Sequence, residues 1–355
     1  MEKKQKIIKN FWKNKRVLIT GHTGFKGAWM SLILAKLGSK IFGYSLKPNK
    51  DQVLYKSFNL KKKLYHSTFG DILNRKKLKK VIDGFKPQII FHFAAQPLVI
   101  DSYKYPHETL KSNVIGVSNL LELCNHKYVK SIIIVTTDKC YENSANYKSF
   151  SENNSLGGKD VYSASKACAE LVSNSFRLSF FEGKKIATVR AGNVIGGGDF
   201  SDNRIIPDFF RSVYANKKLT IRNPNFIRPW QHVFDVLNGY MIVAEKVYFN
   251  QKKFSEAWNF GPSNKSKIDV RTLVNKFNQC LDDPIKIKFL NSNNYFEEQN
   301  IFLNSKKANK NLNWQNKLTL NQSVENIYEW YINFKNSKNI LHKSEAQIEK
   351  YFFSI

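Results

Sequence analysis

Residues 16–38 read RVLITGHTGFKGAWMSLILAKLG. A short apolar run ends at Thr20, three glycines (Gly21, Gly24 and Gly27) punctuate the next seven positions, and an apolar stretch of helical length runs on to Gly38. A bounded apolar run of this kind predicts a buried strand, and the stretch after it predicts a helix closed by a terminal glycine. Glycines between a first strand and a first helix allow a tight turn and a close backbone approach to a pyrophosphate. The free N–H groups and dipole of the helix N-terminus then stabilise the negative charge.

Working outward, the first half of the chain repeats the strand–helix alternation. Strands are predicted at Arg16–Thr20, Lys40–Ser45, Leu64–Phe69, Gln88–Phe93, Ser131–Thr136 and Ile186–Arg190. Between them lie helical patterns, among them residues 74–85 ahead of Pro87, Thr109–Cys124 and Tyr162–Phe181. This order predicts an α/β protein: a Rossmann-type doubly wound parallel sheet with a smaller, interleaved C-terminal substrate-binding lobe. The expected division is a dinucleotide-binding domain over 12–192, joined by a later strand from 228–260, a lobe over 193–340 and a tail over 341–355. The last stretch, SKNILHKSEAQIEKYFFSI, carries no clear assignment.

The formal net charge of +29 raises the question of nucleic acid. Of the 57 basic residues only nine are arginine, and the lysines are dispersed, so no nucleic-acid surface is expected. Lysine and asparagine are abundant together, and both have A-rich codons, which accounts for much of the charge. Five arginines (Arg190, Arg204, Arg211, Arg222 and Arg228) fall within 39 residues and point instead to a local anionic ligand. Four cysteines without CxxC spacing suit a reduced, cytoplasmic protein with no structural metal. The basic start lacks the apolar core of a secretory signal, and no stretch reaches the roughly 18–20 apolar residues of a membrane span.

The GxxGxxG spacing, with Tyr162-Ser-Ala-Ser-Lys166 downstream, resembles the extended short-chain dehydrogenase/reductase superfamily. Positions four apart share a helix face, so Tyr162 and Lys166 project together. An ammonium beside a phenol lowers its pKa toward neutrality, and the Tyr can then take a proton from a sugar hydroxyl. Thr137, at the end of the preceding strand, is placed to hydrogen-bond the same oxygen. The second strand ends at Tyr44-Ser45-Leu46 without the usual acidic ribose anchor, so Ser45 stands in for NAD while Lys47 leaves NADP open.

FHFAAQPLVIDSY, TTDKCYEN, GGKDVYSASKACAEL, VRAGNVIGGGDF and RPWQHV then follow in order, and the chain over residues 15–335 resembles the CDP-glucose 4,6-dehydratases, a branch of the sugar-nucleotide dehydratases. The resemblance implies NAD as cofactor and CDP-glucose as substrate, with the 4-keto-6-deoxy sugar as product for deoxysugar and surface-polysaccharide synthesis. It assigns the redox step to Thr137, Tyr162 and Lys166, and the loss of water to Asp138 as acid at C6 and Lys139 at C5. A lysine must shed its proton to act as a base, which an ordinary pKa of about 10.4 opposes, or it stays charged and stabilises the enolate. A plain salt bridge between Asp138 and Lys139 is the alternative without chemistry.

For the cofactor the resemblance implies Gly21, Thr23, Gly24, Phe25, Lys26, Gly27, Ser45, Asp71, Ile72, Ala94, Ala95, Gln96 and Asn113, besides Tyr162 and Lys166. For the substrate it implies Gln96, Asn193, Arg204, Arg222 and Arg228, with His232 supporting the loop and no metal. Asn304 replaces the Asp of the family's LDxSKA, and Thr109–Cys124 with Tyr162–Phe181 resemble the helix pair of a homodimer interface. Against this stand a 4-epimerase or a dehydratase of another nucleotide sugar and, from a different class, a non-catalytic nucleotide- or nucleic-acid-binding protein. Asp138-Lys139 counts against the epimerase, and an intact Thr137, Tyr162 and Lys166 against the binding protein.

Overall fold

The computed structural model describes residues 10–143, 149–290, 301–336 and 339–353; the first nine residues of the basic start lie outside it. Seven strands form the central sheet: β1 (Arg16–Thr20), β2 (Lys40–Ser45), β3 (His66–Phe69), β4 (Ile89–His92), β5 (Ser131–Val135), β6 (Ile186–Ala191) and β7 (Ala257–Phe260). Their order is β7-β6-β5-β4-β1-β2-β3, and every pairing is parallel. The order turns back between β1 and β4, which opens a crevice at the carboxyl ends of the strands.

Successive strand residues face opposite sides, and both sides are covered. Val17 and Ile19 of β1 belong to one core and Leu18 to the other. Helices α1 (Phe25–Lys36), α2 (Arg75–Phe85), α3 (Gly116–Leu123) and α4 (Val161–Ser179) provide the crossovers. The smaller lobe holds α5 (Ile205–Tyr214) and short strand pairs such as Ile227–Pro229 with Lys267–Asp269. Helix α6 (Val233–Phe249) returns to pack on β5 and β6.

Two stretches differ from expectation. The helix expected over Thr109–Cys124 is broken: Pro106–Leu110 is α-helical, Lys111–Ile115 is a π-turn, and α3 begins at Gly116. Within the wider π-turn Asn113 is buried and bonds Gln96 and Ser165, and π-bulges commonly lie near functional sites. The unassigned C-terminal stretch contains a helix, Ile340–Phe352, following Leu320–Lys335. Its buried stripe, Ile340, Ser344, Ile348, Tyr351 and Phe352, has a serine at its middle, which thins the apolar pattern. Asn339 caps it by accepting from the His342 N–H at 3.2 Å.

Candidate active site

The site grows from the β1–α1 turn. Gly21 has φ +74°, and a Cβ there would sit 2.6 Å from the Ala94 nitrogen, so only glycine fits. At Gly27 a Cβ would fall 2.1 Å from the Gly21 oxygen. Gly24 differs, because its Cβ would meet only the Gly21 oxygen at 3.4 Å. Internal packing does not demand a glycine there, whereas a pyrophosphate laid against the turn does. The cradle therefore fits a dinucleotide.

Around the cradle, Thr20 Oγ1 and His92 Nδ1 lie 2.7 Å apart and join β1 to β4. Thr23 and Ser45 share a hydroxyl contact of 3.0 Å, which ties the glycine turn to the end of β2. The exposed Asp71 accepts from the Leu73 N–H at 2.8 Å, and buried Ile72 backs it. After β4 comes Ala94-Ala95-Gln96. Asn113 Oδ1 accepts from the Gln96 N–H at 2.8 Å, and its Nδ2 donates to Ser165 Oγ at 2.9 Å. The Gln96 amide is itself spent on Thr109 Oγ1 (2.9 Å) and the Leu98 carbonyl (3.0 Å), so its side chain is committed to its own loop and the helix Pro106–Leu110.

At the end of β5, Thr137 Oγ1 donates to Asp138 Oδ1 at 2.9 Å, and Asp138–Cys140 form a single 3-10 turn. The Asp138 carboxylate lies so close to the Gly192 Cα that a Cβ there would sit 1.7 Å from Oδ2. Gly192 thus seats the carboxylate. Among the described residues no ion pair joins Asp138 to Lys139. Asp138 is 4% exposed, and its carboxyl is turned inward toward Thr137 and Gly192.

Helix α4 faces this strand end. Asp160 caps it, accepting from the Ser163 N–H at 2.9 Å. Tyr162 and Lys166, one turn apart, are both buried. The expectation of a lowered phenol is not met in the ligand-free chain, where burial pushes Tyr162 up to about 12. A hydrogen bond with Thr137 and the charge of Arg204 pull it down, while Asp138 and Asp160 oppose them. Burial also draws Lys166 down to about 8 against the charge of Glu170, and its Nζ donates to the Val135 carbonyl at 3.2 Å. Lys26 is likewise lowered to about 8, by burial first and then by Arg204 and Lys166, while Asp138 and Asp199 raise it.

The arginine cluster divides. Arg190 is buried in an ion pair with Glu170 at 2.7 Å, and Arg211 pairs with Asp208 and Asp202, so these two serve the fold rather than an anionic ligand. Arg204 pairs with Asp199 at 2.8 Å but keeps a third of its side chain exposed. Arg222 is exposed, and Arg228 is buried over the Phe226 ring at 5.2 Å. Asn193 takes a left-handed backbone (φ 48°), its carbonyl accepting from the Gln231 N–H at 3.2 Å. His232 supports the loop: its Nδ1 accepts from the Phe234 N–H at 3.2 Å, and burial lowers its pKa to about 3. Asn304 accepts from the Lys306 N–H at 3.0 Å. The sequence reading missed Asp199 and Glu170. For Glu170 a signal existed, since it lies one further turn along the Tyr162–Lys166 face.

A phenol, a hydroxyl and a carboxyl converge beside a turn that fits a dinucleotide, an arrangement suited to proton transfer. The chain belongs to the NAD dependent epimerase/dehydratase family, which it matches over residues 17–261. It is 42% identical over 353 residues to a CDP-glucose 4,6-dehydratase of Salmonella typhimurium, covering 97% of this chain and 98% of that one. A human dTDP-D-glucose 4,6-dehydratase is 28% identical over 92% of this chain and 93% of its own. Among solved structures, dTDP-glucose 4,6-dehydratase from Bacillus anthracis in complex with NAD superposes with a TM-score of 0.76 at 23% identity, covering 92% of this chain and 99% of that one. Among the described residues no helix is long and apolar enough to cross a membrane.

Proposed function

We propose that this enzyme converts CDP-glucose to CDP-4-keto-6-deoxyglucose. The likeness to the Salmonella typhimurium dehydratase, which runs through 97% of the chain, carries this reading. NAD, when bound along Gly21–Gly27 with Thr23, Phe25, Lys26, Ser45, Asp71, Ile72 and Ala94–Gln96 about it, supplies the hydride acceptor for C4 and the donor for C6. Tyr162 takes the C4 hydroxyl proton, with Thr137 bonded to it and Lys166 on the same helix face. The resulting ketone acidifies the C5 hydrogen, which leaves as a proton to Lys139 and returns to C5 as hydride reaches C6. Asp138 protonates the departing C6 hydroxyl. Asn193, Arg204, Arg222 and Arg228 hold the diphosphate side of the substrate.

The test is a product assay with CDP-, UDP-, dTDP- and GDP-glucose and GDP-mannose, with NAD⁺ added. CDP-glucose is expected to give the 4-keto-6-deoxy product, and deuterium placed at C4 is expected at C6. Inversion at C4 alone, or label lost to solvent, would refute the reading.

We further propose that the enzyme is a homodimer through α4 and the helices after β4. Leu110, Ile115, Leu171, Leu178 and Phe180 are exposed there at 40–62%, although Val117, Leu120 and Leu121 of α3 turn into the core. Sedimentation velocity is expected to find a dimer, and Leu171→Glu/Leu178→Glu to shift it to monomer. A wild-type monomer would end this proposal.

A further inference from the structure

Behind the site lies a buried ion pair that the chemistry above does not use. Glu170 and Arg190, whose side chains are 3% and 4% exposed, meet at 2.7 Å. Glu170 accepts from Thr136 Oγ1 at 2.5 Å and from Thr188 Oγ1 at 2.6 Å, so one carboxylate ties α4 to both β5 and β6. Arg190 donates to Tyr141 Oη at 2.6 Å and to the Glu152 carbonyl at 3.3 Å, and Tyr141 Oη donates in turn to Asn259 Oδ1 at 2.8 Å. The Arg190 guanidinium also lies 4.9 Å from the Tyr141 ring centroid. Burial pushes the Glu170 carboxyl up, but Arg190 and the three hydrogen bonds outweigh it and leave the group lowered and charged.

The attachment points matter. Thr136 immediately precedes Thr137-Asp138-Lys139, and Tyr141 follows this tripeptide by two residues. The turn over Asp138–Cys140 is thus held from both sides by the two halves of a single ion pair. The same Glu170 lies one helical turn from Lys166 and raises the ammonium's proton affinity against burial. Replacing a buried pair of this kind with apolar residues is often neutral or stabilising, so stability alone gives no reason for it. We propose that Glu170 and Arg190 are positioning residues: they fix the turn bearing Asp138 and Lys139 relative to Tyr162 and Lys166, so that elimination keeps pace with oxidation at C4. The proposal rests on the dehydratase reading.

Glu170→Gln strands a buried guanidinium and is liable to misfold, so the decisive variant is Tyr141→Phe, which deletes one hydroxyl and keeps the ring. With wild type first shown to turn over CDP-glucose, Tyr141→Phe is expected to lower kcat at least tenfold with KM changed less than threefold. In the steady state a larger fraction of its nicotinamide should be reduced at 340 nm, because elimination slows while oxidation does not. Amide hydrogen exchange of the ligand-free protein should rise at residues 136–141, a readout independent of turnover. Thr136→Val should act from the other side with the same signature.

An unchanged kcat would overturn the proposal. So would a loss matched by an equal loss of active sites, with the 340 nm fraction and the exchange of 136–141 as in wild type. Failure of the wild type to make product would instead sink the dehydratase reading, so the two failures are distinguishable.

Discussion

Tyr162→Phe is expected to lower the rate of C4 oxidation about 10³-fold, within the 10²–10⁴ that a positioned proton acceptor contributes. The ring and its buried position remain, so KM should move little and the fold should survive. The pH profile carries the finer prediction. If Lys166 serves the phenol as proposed, the two groups titrate as a pair. The reactive form, with a phenolate and an ammonium, has lost one proton relative to the resting form. Protons must leave for activity to rise, so log kcat/KM should climb with unit slope at low pH. It should level near pH 8, where the pair gives up its first proton, because Lys166 is drawn down to about 8. In Lys166→Met no such step is available, and the rate should go on rising toward the Tyr162 value of about 12. Stopped-flow absorbance at 340 nm across pH 6–10 measures both. Oxidation within tenfold of wild type in Tyr162→Phe, or a break near pH 8 persisting in Lys166→Met, would remove the pair from the redox step.

The parts of the fold that follow a simple period were legible in the sequence. β1 and β5 are continuous apolar runs because the sheet is covered on both faces, and the glycines at 21 and 27 announce a turn that no side chain can enter. What escaped was whatever depends on contacts across the fold. The π-turn at Lys111–Ile115 itself holds neither proline nor glycine, although Gly116 follows it directly, and within it Asn113 bonds both Gln96 and Ser165. Arg190 was counted among five arginines whose clustering in sequence points to an anionic ligand, yet it lies on an interior strand and pairs with Glu170. Proximity along the chain gave the wrong partner there, since β6 runs through the middle of the molecule. The phenol of Tyr162 illustrates a different gap. Helical spacing put Lys166 on the same helix face, but the sign of the Tyr162 pKa shift was set by burial, which only the packed fold determines.

Asp138→Asn should separate the two halves of the reaction. The amide is nearly isosteric and can keep the bond with Thr137, now 2.9 Å, without enlarging the space against Gly192. It cannot hand a proton to a leaving hydroxyl. C4 oxidation should therefore persist while release of the 4-keto-6-deoxy product falls by roughly 10²–10⁴. Absorbance at 340 nm should appear on adding CDP-glucose and stay high, because the hydride has no alkene to return to. Normal product release from this variant would exclude Asp138 as the acid. The arrested state also gives access to Lys139, since C5 hydrogen exchange with D₂O continues without loss of water. Lys139 serves C5 either as the amine that removes the proton or as the ammonium that holds the enolate. Exchange in Asp138→Asn/Lys139→Met should be at least tenfold slower in either case, and an undiminished rate would assign the C5 proton to another group.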